Sequence, residues 1–264
     1  MFMQYFIPTK IIKWLLLISF SLGLTLSPNA LADKLNYQLA HINKNIDVDG
    51  VLNEPHWQQA THVAVNYQDE PNEKGTPPVK TDAYLYDDGH NLYVAFVAYD
   101  PDPSKIRAAL RDRDTLWQDD TVGLVIDTFN DERTGYEFYV NPLGAQGDLR
   151  MTDTDEWVSD LSWDAIWDSA GTINEQGYVI EMRIPFKALR FAQNKDQSTW
   201  GFAVMRNYQR DVLYQLSSTG FDRDIKCSLC QFDKITGFNN LAPSKNLQLT
   251  PTLTALRNDQ KTQV

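Results

Sequence analysis

The feature that most limits how this chain can fold is a period of two. "VKTDAYLY" (79–86) turns through "DDGH" into "NLYVAFVAY" (91–99), and Gly89 offers the positive φ that a hairpin corner needs. The second of these segments is apolar on both faces, as a central strand should be. "TVGLVIDTF" (121–129) and "GYEFYVNPLG" (135–144) follow around the polar turn "NDERT". Later come "WDAIWDSAGTI" (163–173), "YVIEMRIPF" (178–186), "WGFAVMRNYQR" (200–210) and "FDKITGF" (232–238). Short alternating segments at such intervals predict an all-β fold, an antiparallel β-sandwich of jelly-roll or immunoglobulin-like type. Helical decoration is expected only as short turns at "EPHWQQA" (54–60), "SKIRAALR" (104–111) and "KALRF" (187–191). No internal repeat is visible.

The alternation also assigns faces. Val122, Leu124 and Ile126 fall on one face, as do Tyr136, Phe138 and Val140, and again Ile180, Met182 and Ile184. These are the expected core. The opposite positions, Gly123, Val125, Asp127, Glu137, Tyr139, Asn141, Glu181 and Arg183, make a mixed polar and aromatic face. Such a face is either left wet or used to bind a ligand. Trp57, Trp163, Trp167 and Trp200 are expected in the core, whereas Trp157, in "DTDEWVSDLS", suits either a loop or the flank of a site.

Residues 1–32 read as an address rather than as fold. Lys10 and Lys13 precede the apolar run "WLLLISFSLGLTL" (14–26), and Ala30-Leu31-Ala32 offers small residues for cleavage. That run is short of the ~20 residues a spanning helix needs. A cleaved signal peptide is expected, with an uncleaved anchor as the rival, and the protein is expected in the periplasm, at the cell surface or secreted. The sandwich then occupies 33–240. Residues 241–264 form a tail in which "NLQLTPTLTALR" (246–257) begins a new alternating segment.

Charge and chemistry narrow the partners. The chain carries 35 acidic against 24 basic side chains, a formal net charge of −11. This argues against nucleic acid and anionic membranes and suits neutral ligands or divalent cations. The two cysteines lie in "CSLC", Cys227 and Cys230. Gln231 follows them, so the covalent haem motif is absent, and no second pair completes a four-thiolate zinc site. In an oxidising compartment they form either a local structural disulfide or a redox pair. The four histidines are dispersed, and no nucleophile elbow or phosphate loop occurs. Asp100, Asp119, Asp120 and Asp127 gather near the strand ends by Trp117, as calcium ligands or as solvated charge. Among so many acids, sequence singles out no catalytic pair.

"IDVDGVLNEPHWQQA" (46–60), "TDAYLYDDGHNLYVAFVAYDPDP" (81–103), "WQDDTVGLVIDTFND" (117–131), "TGYEFYVNPLGAQGD" (134–148) and "GYVIEMRIPFKALRF" (177–191) occur in that order. Together they resemble the carbohydrate-binding module family 9 domain, and more closely the exported bacterial proteins in which it precedes a large β-barrel-like region. The resemblance implies a β-sandwich that binds oligo- or polysaccharide chain ends in carbohydrate catabolism. It carries a family-level link to hydrolysis of O-glycosyl bonds by partner machinery; were the chain itself enzymatic, it would be a glycoside hydrolase. It implies structural calcium, with Asp100 and Asp120 at matching acidic positions, and outer-membrane association through a C-terminal region. Trp117 matches a tryptophan that stacks on a sugar ring. The second stacking tryptophan has no counterpart, leaving Tyr214 or Phe221 as substitutes. Gly123, Tyr139 and Met205 stand where the family has glutamate, arginine and glutamine. The expected site is therefore Trp117 with Tyr139, Glu137, Asn141 and Arg183. Two other readings are a docking domain for an outer-membrane barrel and a b-type haem sandwich with Met205 as axial ligand.

Overall fold

The computed structural model describes residues 34–153, 157–192, 198–238 and Leu241, so the expected signal peptide and nearly all of the tail lie outside the described residues. The first strands are β1 (Asn36–Gln38), β2 (Ala40–His41), β3 (Thr61–Ala64), β4 (Tyr67–Glu70), β5 (Thr81–Asp87), β6 (Asn91–Tyr99) and β7 (Thr121–Asp127). They continue as β8 (Thr134–Val140), β9 (Gln146–Asp153), β10 (Trp157–Asp160), β11 (Asp168–Asn174) and β12 (Gly177–Pro185). Last come β13 (Ser198–Gln209), β14 (Leu213–Ser217) and β15 (Asp233–Phe238).

Two sheets result. Sheet A has nine strands in the order β1-β15-β13-β7-β8-β9-β10, with β14 beside the second half of β13 and β4 beside β14. Sheet B has six, in the order β11-β12-β6-β5-β2, with β3 also on β5. Neighbours are antiparallel except β1 with β15 and β2 with β5. The expected sandwich is present, and the three inward sets read from alternation all lie in its core. Val122, Leu124, Ile126, Phe138 and Val140 of sheet A pack with Ile180, Met182 and Ile184 of sheet B. Burial of such side chains contributes roughly 1.5–3 kcal/mol each.

Three local expectations need correction. Among the described residues the helical elements are all 3-10 turns, at Pro55–Gln59, Pro103–Lys105, Phe186–Ala188 and Leu229–Gln231. "SKIRAALR" stays irregular beyond Lys105. The Arg107 and Ala109 N–H groups donate to Asp120 Oδ2 (2.8 Å) and Asp119 Oδ2 (3.2 Å), so they are not free for helical carbonyls. The strand expected from Trp163 begins only at Asp168. Trp163 and Trp167 enter the core from a loop, with ring centroids 4.8 Å from Tyr136 and 5.3 Å from Phe138 respectively. Trp200 is core, stacked on Phe238 at 3.8 Å, whereas the Trp157 side chain lies outside the described residues.

The outer faces are not left wet. On sheet B, Trp57 packs with Ile46, Tyr86 and Tyr93 rather than in the main core. Its indole meets Tyr86 edge-on at 5.0 Å, and Tyr86 stacks on Tyr93 at 4.7 Å. Trp57 Nε1 donates to Glu181 Oε1 (3.2 Å), while Glu181 Oε2 accepts from the Asp49 and Gly50 N–H groups. On sheet A, Leu229 and Phe232 cover Val125, Met151 and Ala203. The rest of that face stays open.

Candidate functional site

The open part of sheet A is a cleft of about 610 Å³. Its floor follows from one cross-strand row. Gly147 of β9, Tyr139 of β8, Gly123 of β7 and Met205 of β13 are successive partners across the sheet. A Cβ at Gly123 would stand 2.4 Å from the Tyr139 ring, and one at Gly147 would stand 2.6 Å from Leu116 and 3.1 Å from the Trp117 indole. Glycine at both places lets Tyr139 lie across β7 and lets the 116–117 segment settle on β9. Gly123, Tyr139 and Met205 therefore act as one packing unit: the Tyr139 ring fills the space over Gly123, with Met205 packed against it.

Trp117 stands at the edge of this floor. It is 38% exposed, meets Tyr139 edge-on at 5.7 Å, and is held by Nε1 donating to the Asp114 carbonyl (2.7 Å). Phe221 lines the cleft from the 218–232 loop, while Tyr214 packs toward the core beside Tyr208. The Cys227–Cys230 disulfide lies in that loop, and it seats Leu229 on the sheet and Ser228 at the cleft wall.

Polar groups complete the lining. Glu137 accepts from Ser159 Oγ (2.6 Å) and neighbours the Tyr139 hydroxyl. Burial first, then this carboxylate, holds the Tyr139 hydroxyl well above the usual tyrosine range, so it remains a donor. Asn207 of β13, Gln215 of β14 and Arg223 also border the cleft, with Arg223 paired to Glu70 at 2.9 Å. Burial pushes the Asp69 carboxyl up to about 6, against the pull of Ser217, the Phe221 N–H and Arg223. Both Asp69 oxygens lie beneath the surface, and neither meets its neighbours at full hydrogen-bond geometry.

Two expected contacts lie elsewhere. Asn141 is fully buried: its Nδ2 donates to Ala109 O (2.7 Å) and Asp119 (2.9 Å), and its Oδ1 accepts from the Leu143 and Ala145 N–H groups. It fastens a turn. Arg183 belongs to sheet B, where it pairs with Asp168 (2.8 Å) beside Tyr93. Alternation gives the parity of a side chain but not which sheet its strand will join. Phe221, Asn207, Gln215 and Arg223 escaped the sequence reading as a set. The outer positions of β13 were readable from its period; the loop residues had no local signal.

The four aspartates expected around calcium do not fit one. Calcium takes six to eight oxygen ligands, and here all four carboxylates are already engaged by protein donors. Arg210 bridges Asp100 and Asp120, with Nη1 donating to both Asp120 oxygens (3.1 and 2.9 Å) and Nη2 to Asp100. The Asp102 N–H also donates to Asp100, and the Arg107 and Gln209 N–H groups to Asp120. Asp119 holds Arg111 at 2.9 Å as well as Asn141. Its burial raises the carboxyl, but these partners outweigh that and keep it below the usual range. Asp127 caps the 128–132 turn through the Phe129, Asp131 and Glu132 N–H groups. Another trio, Asp114, Asp148 and Asp164, does converge within 4.8 Å, and Arg113 pairs with Asp148 and Asp164 there.

Residues 48–218 match the family described as "Carbohydrate family 9 binding domain-like". The chain belongs to that family. Among solved structures it is similar to a putative carbohydrate-binding protein from Bacteroides uniformis, at 11% identity and a TM-score of 0.60, covering 77% of this chain and 99% of that one. It is also similar to a family 9 module from Caldicellulosiruptor kristjanssonii in complex with cellotriose, at 15% identity and a TM-score of 0.54, covering 83% and 100%. A family 9 module from Caldicellulosiruptor kristjanssonii in complex with glucose gives 16% identity, a TM-score of 0.54, and 81% and 100% coverage. These likenesses show the fold. No match is found among curated proteins.

Proposed function

We propose that this family 9 domain binds an oligosaccharide, without cleaving it, in the cleft on the outer face of sheet A. The observation that carries the reading is the Trp117 indole, exposed at the rim of a hollow floored by Tyr139 and Met205. A pyranose has an apolar C–H face, and laying it on such a plate removes both surfaces from water. Asn207, Gln215 and Arg223 offer donors and acceptors for the sugar hydroxyls. The family's description and the cellotriose and glucose bound by its structural neighbours support the same ligand class.

Hydrolysis is not required of this site. A raised carboxyl such as Asp69 resembles a general acid, but its oxygens are shut beneath the surface and cannot reach a glycosidic oxygen. Met205 does lie in the cleft, yet no histidine or lysine lines it among the described residues, which disfavours a haem with Met205 as axial ligand. We place the domain outside the cytoplasm on the strength of the leader-like residues 1–32. Calorimetry against cello-oligosaccharides tests the binding. Affinity is expected between millimolar and micromolar, and Trp117→Ala is expected to weaken it about tenfold or more. Equal affinity in the variant would place the sugar elsewhere.

A further inference from the structure

Trp117 borders two hollows. Beyond the cleft lies a second, about 440 Å³, bordered by Arg107, Ala109, Arg111, Gln118 and Gln209, with Trp117 as the common wall. Its electrostatics are opposite to those of the cleft. The cleft is bordered by Asp69, Glu70 and Glu137 against Arg223 alone. In the second hollow the one acid, Asp119, is fully engaged by Arg111, Asn141 and the Ala109 N–H. Arg107 is exposed, and its guanidinium donates to a neutral group, the Arg210 carbonyl (3.1 Å). No ion pair to Arg107 is found among the described residues. It is a cation left over in a chain of net charge −11.

We infer that this hollow is a subsite for an anionic substituent, a carboxylate or sulfate ester, carried by the sugar next to the one stacked on Trp117. The inference rests on the binding reading above and extends it: the preferred ligand is an acidic oligosaccharide rather than a neutral one. A guanidinium presents a fork of N–H donors matched to such oxygens. The Gln118 side chain borders the same space with a neutral amide. The excess negative charge of the chain does not forbid this. At physiological salt the Debye length is about 8 Å, so distant carboxylates are screened while a guanidinium in contact is not.

The test compares three ligands by calorimetry on the purified protein: a neutral cello-oligosaccharide, its C6-oxidised form and its C6-sulfated form. At low salt at least one acidic form is expected to bind about fivefold tighter than the neutral one, the ceiling for one exposed ion pair. The acidic arm that shows the gain identifies the group. Arg107→Gln is expected to erase that gain and leave neutral binding unchanged, while Arg107→Lys keeps part of it. A thermal melt checks that both variants stay folded. Acidic forms that bind no tighter than the neutral one, or that keep their advantage in Arg107→Gln, would overturn the subsite and leave the binding reading standing. Failure of all three ligands to bind at millimolar concentration would overturn both.

Discussion

The two outer faces of the sandwich begin from the same alternation and end differently. On sheet B, Tyr86 and Tyr93 are direct cross-strand partners, and Trp57 closes over them to make a sealed aromatic layer. On sheet A, the row through Tyr139 has glycine on both neighbouring strands; the ring lies over Gly123 and the 116–117 segment over Gly147, and the face above the row stays open as a cleft. Aromatic content alone therefore does not distinguish a binding face from a packed one. What covers the row does: facing rings closed over by an indole fill a surface, whereas a single ring laid over its glycine neighbour, with the indole standing at its edge, leaves a hollow above it.

Trp57→Ala is the strongest way to break this contrast. Removing the lid of sheet B should destabilise the protein by about 3–5 kcal/mol in denaturant unfolding, with sugar affinity little changed in the fraction still folded. Next comes Gly123→Val, which would drive methyl groups into the Tyr139 ring. A loss of about 1–3 kcal/mol from overpacking is expected, together with loss of sugar binding as the floor is displaced. Binding lost at the smaller stability cost in Gly123→Val, and binding kept at the larger cost in Trp57→Ala, would be the clean opposition.

Asp69 sharpens the comparison through pH. Its carboxyl is raised to about 6 in the folded protein against 3.8 as its ordinary value, so the folded state binds its proton more tightly than the unfolded chain does. Its contribution is fully present below about pH 4 and is lost as pH rises through about 6, on the order of 2 kcal/mol in all. In Asp69→Asn that part of the pH slope should vanish from melts taken between pH 4 and 7; an unchanged slope would place the titration on another group. The smallest effect is reserved for Trp117→Ala on stability. The ring is exposed at the rim, so unfolding should shift by less than about 1 kcal/mol. A large shift would mean that the ring is a structural plug.

The core was legible residue by residue, because period two and an apolar face are properties of each strand alone. The cleft was legible only in part. Trp117, Glu137 and Tyr139 border it, but Asn141 was misplaced because a polar residue one step past a strand end can just as well tie a turn. Arg183 was misplaced because outward parity is common to both sheets. The aspartates near Trp117 looked like cation ligands since their partner is remote: Arg210 lies 110 residues from Asp100 and 90 from Asp120. A guanidinium supplied from that distance leaves no mark beside the acids it neutralises.

One pairing carries a consequence for how the domain comes into being. β1 lies parallel to β15, and Thr236 reaches the Gln38 side chain at a sequence separation of 198. The margin of sheet A is thus stitched from the earliest and latest strands described. Closing so long a loop defers this step until almost everything else has been synthesised, and it commits the domain to slow, topology-limited folding. A ribosome-bound chain halted ahead of residue 233 would lack that seam, and its β13 would present a raw border.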